Sequence, residues 1–161
     1  MRYLIDTNIL LRLAEPNHPM HLAAQNAINV LVKNGDELCV LPQNLIELWN
    51  VATRPVKYNG LGFTQLQVQT EVERVEKFFR LILDKSGIYA EWKRLVIAHA
   101  VEGKEVHDTR IVAAMNVHRI SQLLTFNKDD FKRFTNIMAV SPTKLLPPIR
   151  EDNTPTETKE N

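Results

Sequence analysis

The chain has 161 residues, of which 44% are hydrophobic and 24% are charged, values that fit one globular domain with a substantial core. The formal net charge is +1, and the last twelve residues hold two basic and four acidic side chains, which leaves 18 basic and 15 acidic side chains in residues 1–149. That excess is too small to indicate nucleic-acid binding by charge alone, and the single cysteine, Cys39, excludes an intrachain disulfide and a cysteine-based metal site.

The sequence also predicts the cellular compartment of the protein. One cysteine fits a reducing compartment. The N-terminal apolar run is interrupted at Asp6, so it does not resemble the core of a signal peptide. No stretch approaches the roughly 20 apolar residues that are needed to span a bilayer. We therefore expect a soluble, cytoplasmic protein that makes no membrane contact.

The first eight residues predict a strand that is followed at once by a helix. The β-prone run 3–5 stops at Asp6, and residues 9–11 begin a helical segment that Thr7 or Asn8 could cap. Ligands of open α/β sheets bind outside the carboxyl ends of the strands, so an acid at this position would face the crevice. Taken alone, Asp6 is better explained as a helix cap, and a functional role depends on other acids at equivalent positions.

The rest of the chain alternates helical patterns with short apolar runs. In the first half we predict a helix at 21–33, a strand at 38–41, a helix at 42–54 and a mobile connection at 55–62. A helix at 64–80, a buried strand at 81–83 and a helix from 86 or 87 to 103 should follow. The last predicted elements are a helix from 108 to about 118, a strand at 121–125, a turn or short helix at 128–133 and a strand at 137–140. This alternation predicts a three-layer α/β/α sandwich around a central, mostly parallel sheet. The domain should cover 1–146, and the polar segment 147–161 should be a disordered tail.

Further acids and amides follow the predicted strands as Asp6 follows the first. They are Glu47 after the second strand, Asp108 at the start of a late helix, and Asn127, Asp129 and Asp130 after the fourth strand. Each alone has an ordinary explanation as a solvated residue or a cap, but all can lie on one sheet edge. Carboxylates that lie close together raise a pKa or bind a cation, and oxygen ligands suit Mg²⁺ or Mn²⁺ acting on a phosphate. Phosphodiester hydrolysis is the reaction that this chemistry favours.

Four segments together resemble the PIN-domain ribonucleases. They are 3–8, 42–49, 108–114 and 123–131, and in their order and spacing they cover most of residues 1–140. The resemblance implies an α/β/α sandwich and Mg²⁺- or Mn²⁺-dependent RNA cleavage. It assigns Asp6, Glu47 and Asp108 to the acidic triad. Small chains of this kind look like the toxin of a type II toxin–antitoxin pair, which implies an antitoxin partner, and the helix at 64–80 could bind an inhibitor or form a homodimer.

The fourth site position departs from the fully acidic pattern. Asn127 stands where many relatives have Asp, so the catalytic set is predicted as Asp6, Glu47, Asp108 and Asn127. The predicted metal ligands are the three acids of the triad with Asp130, although Asp129 could supply the fourth charge instead.

Four basic residues are predicted to contact RNA phosphates, with Tyr58 or Trp49 as a stacking surface; they are Arg54, Lys57, Arg110 and Lys128. An ordinary solvated face, with Trp49 in the core, explains them equally well. His99 lies on an apolar helix face and is expected in the core. His107 and His118 are not expected to bind metal, and they would matter only in a metal-free mechanism.

Two other functions remain open at this stage. A PIN scaffold that had lost activity through the change at Asn127 would bind RNA or a protein partner without cleaving. A metal-dependent phosphatase or phosphoacceptor domain is possible on a related sheet. The sequence Asp6-Thr7-Asn8 lacks the second acid of phosphoaspartate phosphatases and so speaks against that reading.

Overall fold

The computed structural model describes residues 1–145. The tail predicted at 147–161 and the last residue of the predicted domain lie outside the described residues. The strands are β1 (Arg2–Ile5), β2 (Glu37–Val40), β3 (Arg80–Leu81), β4 (Gln122–Leu124) and β5 (Met138–Val140). The helices are α1 (Thr7–Leu13), α2 (His21–Lys33), α3 (Pro42–Thr53), α4 (Gln65–Phe78), α5 (Ile88–Ala98) and α6 (Glu105–His118), with short 3-10 helices at Val56–Tyr58, Lys128–Phe131 and Pro142–Lys144.

The five strands form one parallel sheet in the order β3-β2-β1-β4-β5. In the central strand β1, Leu4 pairs with Cys39 on one side and with Leu123 on the other. Because all of the strands are parallel, their carboxyl ends meet at one edge of the sheet, which we call the acidic edge after the residues that follow β1 and β4. The predicted architecture is confirmed.

Alternation along β1 divides the protein into two cores. Tyr3 and Ile5 pack in the core that α1, α2, α3 and α4 cover, whereas Leu4 packs in the core beneath α5 and α6. Leu4 and Ile5 are fully buried, and full burial of such a side chain contributes about 1.5–3 kcal/mol. Strands that are buried on both faces explain the continuous apolar runs in the sequence. Cys39 lies in the second core as a small hydrophobic residue.

The start of α1 agrees with one prediction, and the start of α6 differs. The Asp6 side chain caps α1 by accepting a hydrogen bond from the Thr7 N–H, which confirms Asp6 as a helix cap in place of Thr7 or Asn8. Helix α6 begins at Glu105, so Asp108 lies in its first turn and not at its start. Glu105 and Asp108 both favour a helix N-terminus, so the sequence did not mark one of them as the start of α6.

The third strand and the end of helix α5 were predicted wrongly. The third strand is the edge strand β3, which has two residues, and Leu83 beyond it is 66% exposed. Helix α5 stops at Ala98, because Ala100 adopts a left-handed conformation with φ 46°. His99 is therefore exposed at the end of α5 and not in the core, and its ring packs edge-on against Phe134 with centroids 5.1 Å apart.

The connection at 55–62 folds back onto α3. Backbone N–H groups of Leu61 and Phe63 donate to the carbonyls of Val51 and Ala52. A Cβ atom on Gly60 would lie 1.9 Å from the Arg54 carbonyl oxygen, so only glycine fits at this turn. Within residues 1–145, no helix is both long and apolar enough to cross a bilayer.

Candidate active site

Asp6 is held at the end of β1 by three hydrogen-bond donors. Its Oδ1 accepts from the Thr7 backbone N–H at 2.7 Å. Its Oδ2 accepts from the Asn8 side-chain amide at 2.8 Å and from the Thr125 hydroxyl at 2.6 Å. The side chain is almost completely buried. Because Thr125 follows β4, these contacts join the ends of the two central strands and fix the direction of the carboxyl group.

The environment of Asp6 changes its protonation. Burial raises the pKa of Asp6 from 3.8 to about 6, and the negative charges of Asp108 and Glu47 act in the same direction. The hydrogen bonds from Thr125 and from the Thr7 N–H favour the ionised form and oppose the rise in the pKa. The carboxyl group is thus oriented as an acceptor, while its surroundings favour a proton or a cation at this position.

Glu47 reaches the same edge from the second turn of α3. One oxygen accepts from the Thr7 hydroxyl at 2.9 Å, and the other accepts from the Gln43 amide at 2.8 Å. The same Gln43 nitrogen donates to the His107 carbonyl at 3.0 Å. Asn44, which is fully buried, accepts from the Leu41 N–H at 2.9 Å and so fixes the start of α3. These bonds position Glu47 between α1 and α6.

Asp108 completes the triad from the first turn of α6. Burial raises the pKa of Asp108 to about 6, and the charges of Asp130, Glu47 and Glu105 add to the rise, whereas His107 lowers it. Asp6, Glu47, Asp108 and Asp130 therefore form one electrostatic cluster. The structure brings the three predicted triad acids and one of the predicted fourth acids to the same edge.

The residues after β4 differ in what they contribute. Thr125 is fully buried, and its hydroxyl accepts from the Asn127 backbone N–H at 3.0 Å. The Asn127 side chain is exposed at the rim. Asp129 forms an ion pair with Lys132 at 2.9 Å, whereas the charge of Asp130 acts on Asp108. Among these residues, Asp130 is the one that best supplies a fourth negative charge.

Arg110 is the basic residue most closely joined to the cluster. Its guanidinium donates to the Gln43 side-chain oxygen at 3.0 Å and to Asp84 at 2.8 Å, and Gln43 in turn binds Glu47. Lys128 lies exposed on the turn after Asn127. Arg110 shares α6 with Asp108, and Lys128 adjoins Asn127 in the chain.

The other predicted RNA contacts lie elsewhere. Arg54 follows Glu47 by seven positions along α3, which places it about 10 Å further along the helix axis. Lys57 lies three residues further along the chain, in the 3-10 helix Val56–Tyr58, with its ammonium 4.8 Å from the centroid of the Tyr58 ring. Trp49 lines an apolar groove beside α4 and not the acidic edge. Neither proposed stacking residue is therefore beside the acids.

No role was predicted for Gln43 and Asn44, two of the polar residues around Glu47. Gln43 and Asn44 are buried polar side chains in the first turn of α3, and Gln43 precedes Glu47 by four positions, the spacing that puts two side chains on one helix face. That spacing is the feature of the sequence that could have indicated a contact between Gln43 and Glu47. His118 lies ten residues after Asp108, at the other end of α6 and about 15 Å away along the axis, so it cannot act together with Asp108.

The donor set bears on whether a metal ion fits this edge. Within residues 1–145, no three His, Cys, Asp or Glu side chains are arranged so that they could hold an ion together. Mg²⁺ keeps several water ligands and needs only one or two carboxylates directly. The acids at this edge offer carboxylate oxygens as ligands, and burial together with mutual repulsion raises the pKa values of Asp6 and Asp108. The residues fit a hydrated, hard divalent ion better than a fully enclosed one.

Comparison with known proteins identifies the family. Residues 3–137 match the model of the PIN domain. The chain belongs to the PIN domain family. No curated protein sequence matches the chain.

Solved structures share this PIN fold. VapBC2 from Rickettsia felis, bound to a DNA fragment from its promoter, matches with a TM-score of 0.66 and 18% identity over 88% of this chain and 98% of that one. VapBC-1 from nontypeable Haemophilus influenzae matches with a TM-score of 0.62 and 17% identity over 89% and 99%. VapC20 from Mycobacterium tuberculosis, a sarcin–ricin loop cleaving toxin, matches with a TM-score of 0.61 and 14% identity over 82% and 95%. The predicted resemblance to the PIN domain family is confirmed.

Proposed function

We propose that this PIN domain is a divalent-metal-dependent endoribonuclease that hydrolyses RNA phosphodiester bonds. The observation that carries the proposal is the buried Asp6 carboxyl group, which three donors hold in one orientation although burial, together with the charges of Asp108 and Glu47, raises its pKa to about 6. A carboxylate that served only to cap α1 would not need Asp108 and Glu47 beside it. Acids that are held close together, with raised pKa values, are typical of functional sites.

Mg²⁺ or Mn²⁺ is the proposed cofactor. Asp6 and Asp108 would hold the ion, with Glu47 and Asp130 contributing charge or binding its water ligands. A bound divalent ion supplies polarisation of a phosphoryl oxygen and a water of lowered pKa. Its positive charge would also let an anionic phosphodiester approach the cluster, which the acids alone repel.

The protein groups then have distinct roles. Thr125, Asn8 and the Thr7 N–H keep Asp6 ionisable and pointed at the cleft, and Gln43 holds Glu47 where it can accept a proton from a water molecule. Asn127 at the rim is proposed to orient a water or the substrate through its amide.

Two basic residues are proposed to contact the RNA. Arg110 and Lys128 flank the acids and would bind phosphates on either side of the bond that is cut. Arg54 and Lys57 would be reached only by RNA that runs along α3.

A toxin role in the cytoplasm, with an antitoxin as partner, is the proposed biological setting. The similar structures include toxin–antitoxin complexes from several bacteria, and one of these toxins cleaves the sarcin–ricin loop. In this chain, α4 exposes Leu66 and Phe78 to 73% and 57%. Exposed apolar side chains of this size on one helix suit contact with an antitoxin or a second copy of the chain.

An inactive scaffold that binds RNA or a protein is the second candidate. The observations that favour it are the neutral Asn127 at the rim and the lack of three converging metal ligands within residues 1–145. Under this alternative the acids would be remnants of a site, and binding would not depend on them.

The test is cleavage of total RNA in Mg²⁺ by the wild type, by Asp6→Asn and by Glu73→Gln, which removes an exposed acid on α4. The ribonuclease proposal predicts cleavage by the wild type and by the Glu73 variant, with most activity lost in the Asp6 variant. RNA that is bound but not cut by all three proteins would favour the scaffold.

A further inference from the structure

A cavity of about 480 Å³ lies beside the acidic edge, between the start of α5 and the start of α6. Its lining combines aromatic, basic and apolar side chains with one acid, Asp84; the others include Lys85, Ile88, Tyr89, Trp92 and Arg110. None of the proposed metal-binding acids lines it. The function proposed above therefore leaves this cavity unexplained.

One wall of the cavity is aromatic. Tyr89 and Trp92 lie three positions apart on α5, with ring centroids 5.8 Å apart and planes inclined by 33°. The Trp92 indole N–H donates to the Val106 carbonyl at 2.9 Å, so this ring is fixed, and the buried Ile88 lies beside it. The Tyr89 ring is 70% exposed. A fixed indole beside an accessible phenol ring offers a flat surface on which another planar ring can stack.

The cavity is joined to the acidic edge by two short connections. His107 lines the cavity and directly precedes Asp108 in the chain. Arg110 also lines the cavity, and its guanidinium donates to Gln43, whose amide binds Glu47. Arg110 therefore places a positive charge between the cavity and the acids, and because it is paired with Asp84 at 2.8 Å, a nucleotide phosphate there would compete with Asp84 for it.

We propose that this cavity binds a single unpaired nucleobase of the RNA, next to the phosphodiester that is cut at the acidic edge. The base stacks on Tyr89 beside Trp92, and its flanking phosphate contacts Arg110 and Lys85. Stacking on an aromatic side chain accepts any base face and requires an unstacked nucleotide. The inference deepens the proposed ribonuclease function and rests on it. It predicts cleavage in single-stranded or looped RNA and not within a duplex.

Tyr89 is the residue on which the proposal can be tested cleanly. Trp92 ties α5 to α6 through its indole, so replacing it would disturb the fold as well as the cavity. Tyr89 is largely exposed, and removing its ring removes little packing. Tyr58 is an equally suitable control, because it is 61% exposed and lies on the 3-10 helix after α3.

Binding can be followed through the protein's own fluorescence. The chain has two tryptophans, so Trp49→Phe leaves Trp92 as the sole reporter in the cavity. We expect saturable quenching by nucleoside 5′-monophosphates, weakened about tenfold by Tyr89→Leu and retained in Tyr89→Phe and Tyr58→Leu. Absence of quenching, or equal weakening by Tyr89→Leu and Tyr58→Leu, would overturn the proposal.

Cleavage kinetics separate this proposal from the proposed function. With a single-stranded oligoribonucleotide in Mg²⁺, Tyr89→Leu should raise KM about tenfold and leave kcat near the wild-type value, and Tyr89→Phe should restore KM. Efficient cleavage with an unchanged KM in Tyr89→Leu would refute the base-binding cavity while the ribonuclease stands. Nucleotide-dependent quenching without any cleavage would refute the ribonuclease and support the cavity.

Discussion

Replacing Asp6 by Asn should change how the stability of the protein depends on pH. The pKa of Asp6 rises from 3.8 to about 6 in the folded protein, so the folded state binds this proton more tightly than the unfolded chain does. The free energy of unfolding of the wild type therefore decreases as the pH rises between these values and levels off above them. At about 1.4 kcal/mol per pH unit, the full decrease is about 3 kcal/mol, of which about half falls between pH 5 and pH 7.5.

The variant loses this pH dependence and some hydrogen bonding. The asparagine side chain in Asp6→Asn would keep one acceptor oxygen and turn an NH₂ group toward either the Thr7 N–H or the donors Asn8 and Thr125. One mismatched buried pair costs about 1–3 kcal/mol. At pH 5 the variant should thus be close to or below the wild type in stability, and at pH 7.5 it should equal or exceed it. Between pH 5 and pH 7.5, the free energy of unfolding of the variant relative to the wild type should increase by about 1.4 kcal/mol. The hydrogen-bond cost is the same at both pH values, so it does not affect this increase.

The assay is urea unfolding of both proteins at pH 5 and pH 7.5 in EDTA, with equal m-values as the check that the two unfold alike. Glu73→Gln serves as the control, because Glu73 is an exposed acid on α4 away from the site. The control should follow the wild type at both pH values. Parallel pH dependence in the wild type and in Asp6→Asn would refute the raised pKa and the argument built on the buried carboxyl group.

Three other predictions concern the cluster as a whole. Glu47→Gln and Asp108→Asn should each lose most RNA cleavage with an unchanged circular dichroism spectrum, and retained cleavage in either would remove that acid from the site. Asp130→Ala should weaken Mg²⁺ binding in calorimetry more than Asp129→Ala, because Asp129 pairs with Lys132; equal effects would place both acids outside the site. At subsaturating Mg²⁺, cleavage should rise between pH 5 and pH 7, because Asp6 and Asp108, whose pKa values are about 6 without metal, must lose their protons before they bind the ion; a flat profile would contradict this.

The sheet and the position of Asp6 could be predicted because each depends on a local pattern. Strands buried on both faces must be continuous apolar runs, and 3–5 and 123–124 are such runs. In a parallel sheet the residue after each strand must lie on the shared edge, which placed Asp6 correctly relative to the residues after β4. The alternation of helices and strands then left few topologies.

The errors came from interactions that a sequence does not display. The length of β3 depends on its place at the edge of the sheet, and the end of α5 depends on the left-handed Ala100. The contacts of Gln43 with Glu47, His107 and Arg110 join two helices, α3 and α6. Such a network depends on helix packing, and periodicity along one helix cannot reveal its partners.

The central claim is that RNA is cut at the acidic edge only with a divalent ion. Its most direct test is single-turnover cleavage of one defined single-stranded oligoribonucleotide by the wild type in Mg²⁺, in Mn²⁺, in Ca²⁺ and in excess EDTA, with Asp6→Asn as the matched variant. We predict cleavage by the wild type in Mg²⁺ and Mn²⁺, binding with little cleavage in Ca²⁺, and no appreciable cleavage either in EDTA or by the variant. Undiminished cleavage in EDTA would contradict the account and would direct attention to His107, which adjoins Asp108, as an acid–base group.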